Sequence, residues 1–319
     1  MFFNDIAVNG IPKQSTQAAK AGVLTMDNFS SRPGDCGRYP LQISGQFRME
    51  HIQNAVSMAI NQLNRTRDAI YLDTNAWSMI ARQKVPIELL ATFAEQHRCV
   101  IWLARMQLAE LSARRDVIES LANVLEDVPV VVLDREQHEL DGAPWHKVKI
   151  GLQEYVKLRT PELREEFIRQ FAPPALDAVR AHLVKDRDNF RDWLNHQKTG
   201  FDPAPRDWTS FPPRVERWIR QICAKNNRQI VESAIKNPDC YAGVRLAYAV
   251  LFSRYYINNQ DWQDSDYLDY LHAADMAYAK IVVTERNLAE CIRQATRRPE
   301  VNGPEYVYNT AWLRAPNLA

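Results

Sequence analysis

The chain has 319 residues, 46% hydrophobic and 25% charged, with a formal net charge of +1. That balance belongs to a globular protein with ample core; it excludes collagen-like and low-complexity chains, and it leaves any nucleic-acid contact to a local patch rather than to bulk charge. Only 10 glycines occur, so helix should outweigh strand, and no apolar run reaches the ~18 residues of a membrane span.

Cys36, Cys99, Cys223, Cys240 and Cys291 are scattered, without a C-x-x-C pair, which favours a reducing, cytoplasmic setting and argues against structural zinc. The opening MFFNDIAVNGIPKQ lacks a basic segment followed by an apolar one and does not read as a signal peptide. Residues 1–66 are expected to form an arm and a helix. The arm carries the loop signal Ser30-Ser31-Arg32-Pro33-Gly34-Asp35, and the helix spaces Met49, Ile52, Val56, Ile60 and Leu63 at three and four.

From Ala69 the pattern alternates. Ala69-Ile70-Tyr71-Leu72 predicts a strand, followed by helices over 77–82 and from Pro86. Cys99 to Leu103 predicts a second strand, 106–126 one long helix, and Val128 to Leu133 a third strand, apolar throughout as a strand buried on both faces should be. Residues 144–262 show no convincing strand and read as helices broken at prolines. The alternation resumes with a helix over 265–279, a strand over 280–283, a helix over 285–295 and an edge strand near 306–308. The expected fold is therefore α/β: a three-layer α/β/α unit with a mostly parallel sheet of four to five strands, built from 67–143 and 263–319. A helical insertion, 144–262, would divide it.

Polar groups gather at the carboxyl ends of these strands, where parallel sheets bind ligands. Asp73-Thr74-Asn75 follows the first strand, and Thr284-Glu285 follows the fourth. Either pair of facts suits a cation-holding carboxylate; a Thr74 or Asn75 helix cap is the simpler reading of the first. Glu110 lies one turn into the helix after the second strand. On the late helix Asp266, Asp269 and His272 step roughly 60° apart at 100° per residue and share a stripe, with Asp275 turned away. Asp266 also suits a helix start, so the choice among Asp266, Asp269 and Asp275 stays open. His272 could shuttle a proton, although a helical His facing a carboxylate is more often a structural partner.

The ordered set Leu72-Asp73-Thr74-Asn75, Leu108-Ala109-Glu110-Leu111, Asp269-Tyr270-Leu271-His272 and Ile281-Val282-Val283-Thr284-Glu285 resembles the PIN domain family. The resemblance implies a metal-dependent endonuclease, foremost a ribonuclease, using Mg²⁺ or Mn²⁺. It implies Asp73, Glu110 and Asp269 as metal-binding acids, Asp266 as a further ligand candidate and Glu285 as a catalytic acid in the outer shell. Asn75, Thr284 and His272 would support them. Many members are toxins of toxin–antitoxin pairs, so a toxin or phage-defence role, a restraining protein partner and a homodimer are further expectations. Arg286 stands where the family often places its fourth acid. A catalytically inactive scaffold binding RNA or protein is the alternative.

For nucleic acid, RNA ahead of DNA, two basic features are candidates. Arg114 stands four residues after Glu110, where it could pair with that acid or touch a phosphate. A helix over 213–235 would align Arg214, Arg217, Arg220, Lys225 and Arg228 opposite Val215, Trp218, Ile219, Ile222 and Ile230. A solvated face of an amphipathic helix looks the same.

Overall fold

In the computed structural model the described residues are 69–127, 130–135, 140–145, 150–156, 161–171, 181, 184–192, 194 and 207–318. The expected arm and helix over 1–66 and the proline breaks near 173 and 200–205 lie outside them.

Six strands form one sheet: β1 (Ala69–Leu72), β2 (Val100–Ala104), β3 (Val130–Arg135), β4 (Ile150–Val156), β5 (Ile281–Thr284) and β6 (Tyr306–Asn309), in the order β4-β3-β2-β1-β5-β6. All neighbours are parallel except β3 and β4. Between them run α1 (Thr74–Ala81), α2 (Ile87–Gln96), α3 (Arg105–Leu111), α4 (Arg115–Asp127), α5 (Pro161–Phe171), α6 (Phe211–Lys225), α7 (Glu232–Lys236), α8 (Ala242–Leu251), α9 (Asp266–Met276) and α10 (Arg286–Thr296).

Successive strand residues point to opposite faces, and helices cover both. Ile70, Leu72, Ile101, Leu103, Ile281 and Val283 pack with Trp77 and Ile80 of α1, Phe93 of α2 and Leu121 of α4. Ala69, Tyr71, Trp102, Ala104 and Val282 pack on the other side with α6, α8, α9 and α10. The architecture is thus three-layer α/β/α, as expected.

Three expectations are corrected. The single helix over 106–126 is two, α3 and α4, because positions 114 and 115, where an unbroken helix would return to its apolar side, are both arginine and exposed. Residues 144–262 do contain a strand: β4 pairs antiparallel with β3, with a bulge between Val132 and Leu133. The rest of that segment is no separate helical body either. Val244, Leu246, Ala247 and Val250 of α8 belong to the same continuous core as Tyr71 and Val282. Leu246→Ala is therefore expected to cost about 2–5 kcal/mol, as deletion of a fully buried leucine does. Urea unfolding should show one transition moved as a whole; loss of only a partial, early transition would mean that the segment folds by itself. Among the described residues no helix is long and apolar enough to cross a membrane.

Candidate functional site

β1 lies between β2 and β5, so the chain leaves its carboxyl end with parallel neighbours on both sides. In open α/β sheets this is where a crevice forms for ligands. Asp73 is the first residue past β1 and is only 5% exposed. It, and not Thr74 or Asn75, is the N-cap of α1: its Oδ1 accepts from the Ala76 N–H at 2.6 Å. Its Oδ2 accepts from the Thr284 hydroxyl at 2.6 Å and the Glu285 N–H at 2.9 Å, both at the end of β5. Burial raises the Asp73 pKa, and these hydrogen bonds oppose the rise without cancelling it.

Glu110 is set in place by a residue with no obvious chemistry. Gln107 is fully buried in α3; its Oε1 accepts from the Ala104 N–H at 2.7 Å, and its amide donates to the Leu72 carbonyl at the end of β1. That bridge fixes α3 against β1, and Glu110 follows one turn later. Glu110 Oε2 accepts from the Thr74 hydroxyl and lies 2.6 Å from His272 Nε2, while His272 Nδ1 lies 2.6 Å from the Tyr71 hydroxyl oxygen.

Burial alone would lower the His272 pKa, but the Glu110 carboxylate outweighs it and holds the ring at about 8. The imidazolium is the main form near neutrality, with both N–H groups donating. Burial pushes Glu110 up, and His272 more than reverses this, so its carboxyl sits below the ordinary range. A raised histidine value means that the pair's stabilisation is complete below about pH 6.5, the ordinary histidine value, and is lost as pH rises through 8. We expect the melting temperature to fall across that window and His272→Gln to flatten the fall. An NMR titration of the His272 ring should give the same midpoint, and a midpoint below 6.5 would contradict the pairing.

The other three acids, Asp266, Asp269 and Glu285, face a cation that the sequence reading did not single out. Residues Phe252–Ile257 form a π-helical turn after α8, and it carries Arg254, 4% exposed. Its Nη1 reaches Asp266 and, at 2.9 Å, Asp269; its Nη2 stands 3.6 Å from Glu285. Asp266 is further occupied by the Tyr255 hydroxyl and, at 2.7 Å, the Gln263 N–H. Asp266 thus anchors Arg254. Burial raises Asp269 to about 6 despite Arg254 beside it. Stability from this group therefore falls as pH rises from about 4 through about 6, the same direction as for His272 but in a lower window. Glu285 caps α10 and gives Asp73 its backbone N–H, while its half-exposed carboxylate faces Arg254. Arg286 is exposed, as is Asn75 in the first turn of α1. Asp275 lies close enough to raise the Tyr71 and His272 values.

The sequence thus located Asp73, Glu110, Asp269, His272, Thr284 and Glu285, which the fold brings to one sheet edge. It missed Gln107, Tyr71 and Arg254. The signal for Arg254 was its standing as a charged residue in the apolar run Leu246 to Tyr256, and for Gln107 a polar residue in a stretch that α3 buries.

The donors are carboxylates and hydroxyls, the chemistry a hard divalent cation prefers. They are held apart in internal pairs, and among the described residues no group of three or more His, Cys, Asp or Glu side chains surrounds one point. A cavity of about 370 Å³ opens beside Thr74 and Glu110, walled by Leu111, Val117 and Leu268 and reached by Arg82, Arg114 and Arg187. That is room for a nucleotide-sized group.

The basic candidates divide. Arg114 lies past the end of α3, pairs with Asp116 at 2.7 Å rather than with Glu110, and lines this cavity. The helix over 213–235 ends at Lys225, so Arg228 and the exposed Ile230 lie beyond it. Arg220 pairs with Glu232, Arg228 with Asp141 at 3.3 Å, and Arg214 covers the Tyr256 ring at 5.2 Å. Arg217 and Lys225 are exposed on α6. Most of that stripe serves the fold's own surface. Compared with models of known families, with curated proteins and with solved structures, the chain matches none.

Proposed function

We propose that this chain is a divalent-cation-dependent nuclease of PIN type that hydrolyses phosphodiester bonds, with RNA ahead of DNA as substrate. One observation carries the reading: four separate segments deliver Asp73, Glu110, Asp269 and Glu285 to the edge where β1 lies between β2 and β5. Buried acids with raised pKa values at such a crevice are candidates for a functional site.

Asp73, Glu110 and Asp269 would hold Mg²⁺ or Mn²⁺. When bound, such a cation acidifies a water and stabilises charge on the phosphoryl oxygens. The chain's own residues supply the rest. Thr284 and the Glu285 N–H hold the Asp73 carboxylate in one orientation. Gln107 sets the position of Glu110, which can accept a proton from the attacking water. The His272 Nε2–H, which donates to Glu110, can pass its proton to the leaving oxygen. The cavity beside Glu110 gives the nucleotide its place.

A second reading, a PIN-like scaffold that binds RNA or protein without cutting, is favoured by the absence of a converging acid triad among the described residues. The two readings separate on labelled single-stranded RNA, single-stranded DNA and total tRNA, incubated with the full chain in Mn²⁺, Mg²⁺ or EDTA. The nuclease cuts at least RNA and stops in EDTA. No cutting on any substrate, with a melting temperature that divalent ions leave unmoved, supports the scaffold.

A further inference from the structure

We infer that the cavity beside Glu110 is a slot for one unpaired nucleobase, so that the site takes single-stranded nucleic acid and leaves duplex alone. The inference rests on the nuclease reading above and gives it a substrate class; as a binding site it is testable without cleavage.

The cavity joins two chemistries. Its inner wall is apolar, with Leu111 and Val117 buried and Leu268 partly buried beside them. Val184, from the helical residues 184–192, lines the same space and is 48% exposed. An aliphatic side chain left open in this way gains from being covered, and the faces of a base bring apolar area to cover it. About 370 Å³ is room for a base with its sugar. α1, the turn between α3 and α4, α9 and residues 184–187 all contribute to the wall, so a base can enter only after leaving its stack and its pairing partner. Seating a base in a pocket costs a duplex its pairing and stacking there, a cost that is least for a single strand.

The mouth is polar and cationic. Thr74, Ser78 and Arg82 follow one another at steps of four along α1 and its C-cap, so they share one face, with about 12 Å of helix between the first and the last. Thr74, at the inner end, donates to Glu110; Arg82, at the outer end, is exposed. Arg114 joins it from the turn after α3. Its pair with Asp116 is more than half exposed on both sides, and such surface pairs hold weakly, so a phosphate can draw the guanidinium away. Asp264 also lines the cavity, but Arg187 meets its charge at 3.1 Å. The base therefore goes to the apolar wall, a neighbouring phosphate to Arg82 and Arg114, and the bond to be cut to the inner end, where Glu110 belongs to both cavity and site.

The test is equilibrium binding to the full chain in EDTA, read by fluorescence anisotropy with a short labelled single-stranded RNA, the same strand annealed to its complement, and a ribose-phosphate strand of equal length without bases. The single strand is expected to bind at least about tenfold tighter than either of the others. Ser78→Leu, which fills the slot from the face of α1, is expected to bring the single strand down to the base-free level. Arg82→Ala should weaken the single strand and the base-free strand by the same factor and lower the salt slope by about one. Melting curves establish that both variants are folded. Duplex or base-free strand bound as tightly as the single strand, a Ser78→Leu that keeps the preference, or no binding of any probe would each overturn the inference. Mn²⁺-dependent cutting of RNA by the same protein would then leave the nuclease reading standing. The expected preference without cutting on any substrate would support the slot and overturn the nuclease reading.

Discussion

Arg254→Met is expected to destabilise the fold by about 3–5 kcal/mol, the usual cost of removing one partner from a buried ion pair. At roughly 2–4 °C per kcal/mol for domains approaching this size, the melting temperature should fall by about 10 °C. The reason is what the substitution leaves behind. Asp266 is buried and would keep only the Tyr255 hydroxyl and the Gln263 N–H, and Asp269 would lose the larger of the two positive charges, Arg254 ahead of His272, that offset its burial. Burial weakens the Arg254 charge and the Asp269 and Asp266 carboxylates more than restore it, so the guanidinium is held charged throughout the accessible pH range. Methionine keeps the apolar length of the side chain, so the loss reports on charge and not on a cavity. Adding Asp266→Asn should recover part of it, since an amide in that place keeps an acceptor for the tyrosine without an unpaired charge. Groups in direct contact couple in this way. Thermal unfolding of the wild type, the two single variants and the double variant reads the coupling. A single variant within about 1 kcal/mol of wild type would show that Arg254 is not what holds these acids.

Much of the frame could be read from residues alone, and the limits have physical causes. Short apolar runs ending in polar groups marked β1 and β5, because a strand buried on both faces has no room for alternation. Asp73 and Thr284 followed as strand-end residues, and their mutual hydrogen bond is the consequence of β1 and β5 being neighbours. β4 was missed because Gly151, Gln153 and Glu154 dilute its apolar positions, as an antiparallel edge strand permits, and because 14 residues separate it from β3. The break between α3 and α4 was present in the sequence as the Arg114-Arg115 pair at an apolar phase. Arg254 could not be placed by helical phase, since a π turn shifts the phase of everything it carries. Its partners come from α9 and the end of β5, contacts that only the fold creates.

Asp73→Asn carries the largest expected effect on activity. Asparagine keeps the shape and can still accept from the Ala76 N–H to cap α1, so the helix start survives. It cannot accept from the Glu285 N–H with its amide end, and it brings no charge to a cation. Loss of one preorganised charge-stabilising group typically costs on the order of 10²–10³ in rate, and that is the fall expected here. Far-UV circular dichroism and a melting curve on the same preparation establish that the variant is folded.

The measurement that bears most directly on the carboxylate site is the initial rate of cleavage of end-labelled single-stranded RNA by wild type and Asp73→Asn, side by side, in Mn²⁺ and in EDTA. The expected result is cutting by wild type in Mn²⁺ that EDTA abolishes and that the variant lacks by at least about a hundredfold. Equal rates in wild type and variant would contradict it, because cutting that does not depend on Asp73 does not come from this site.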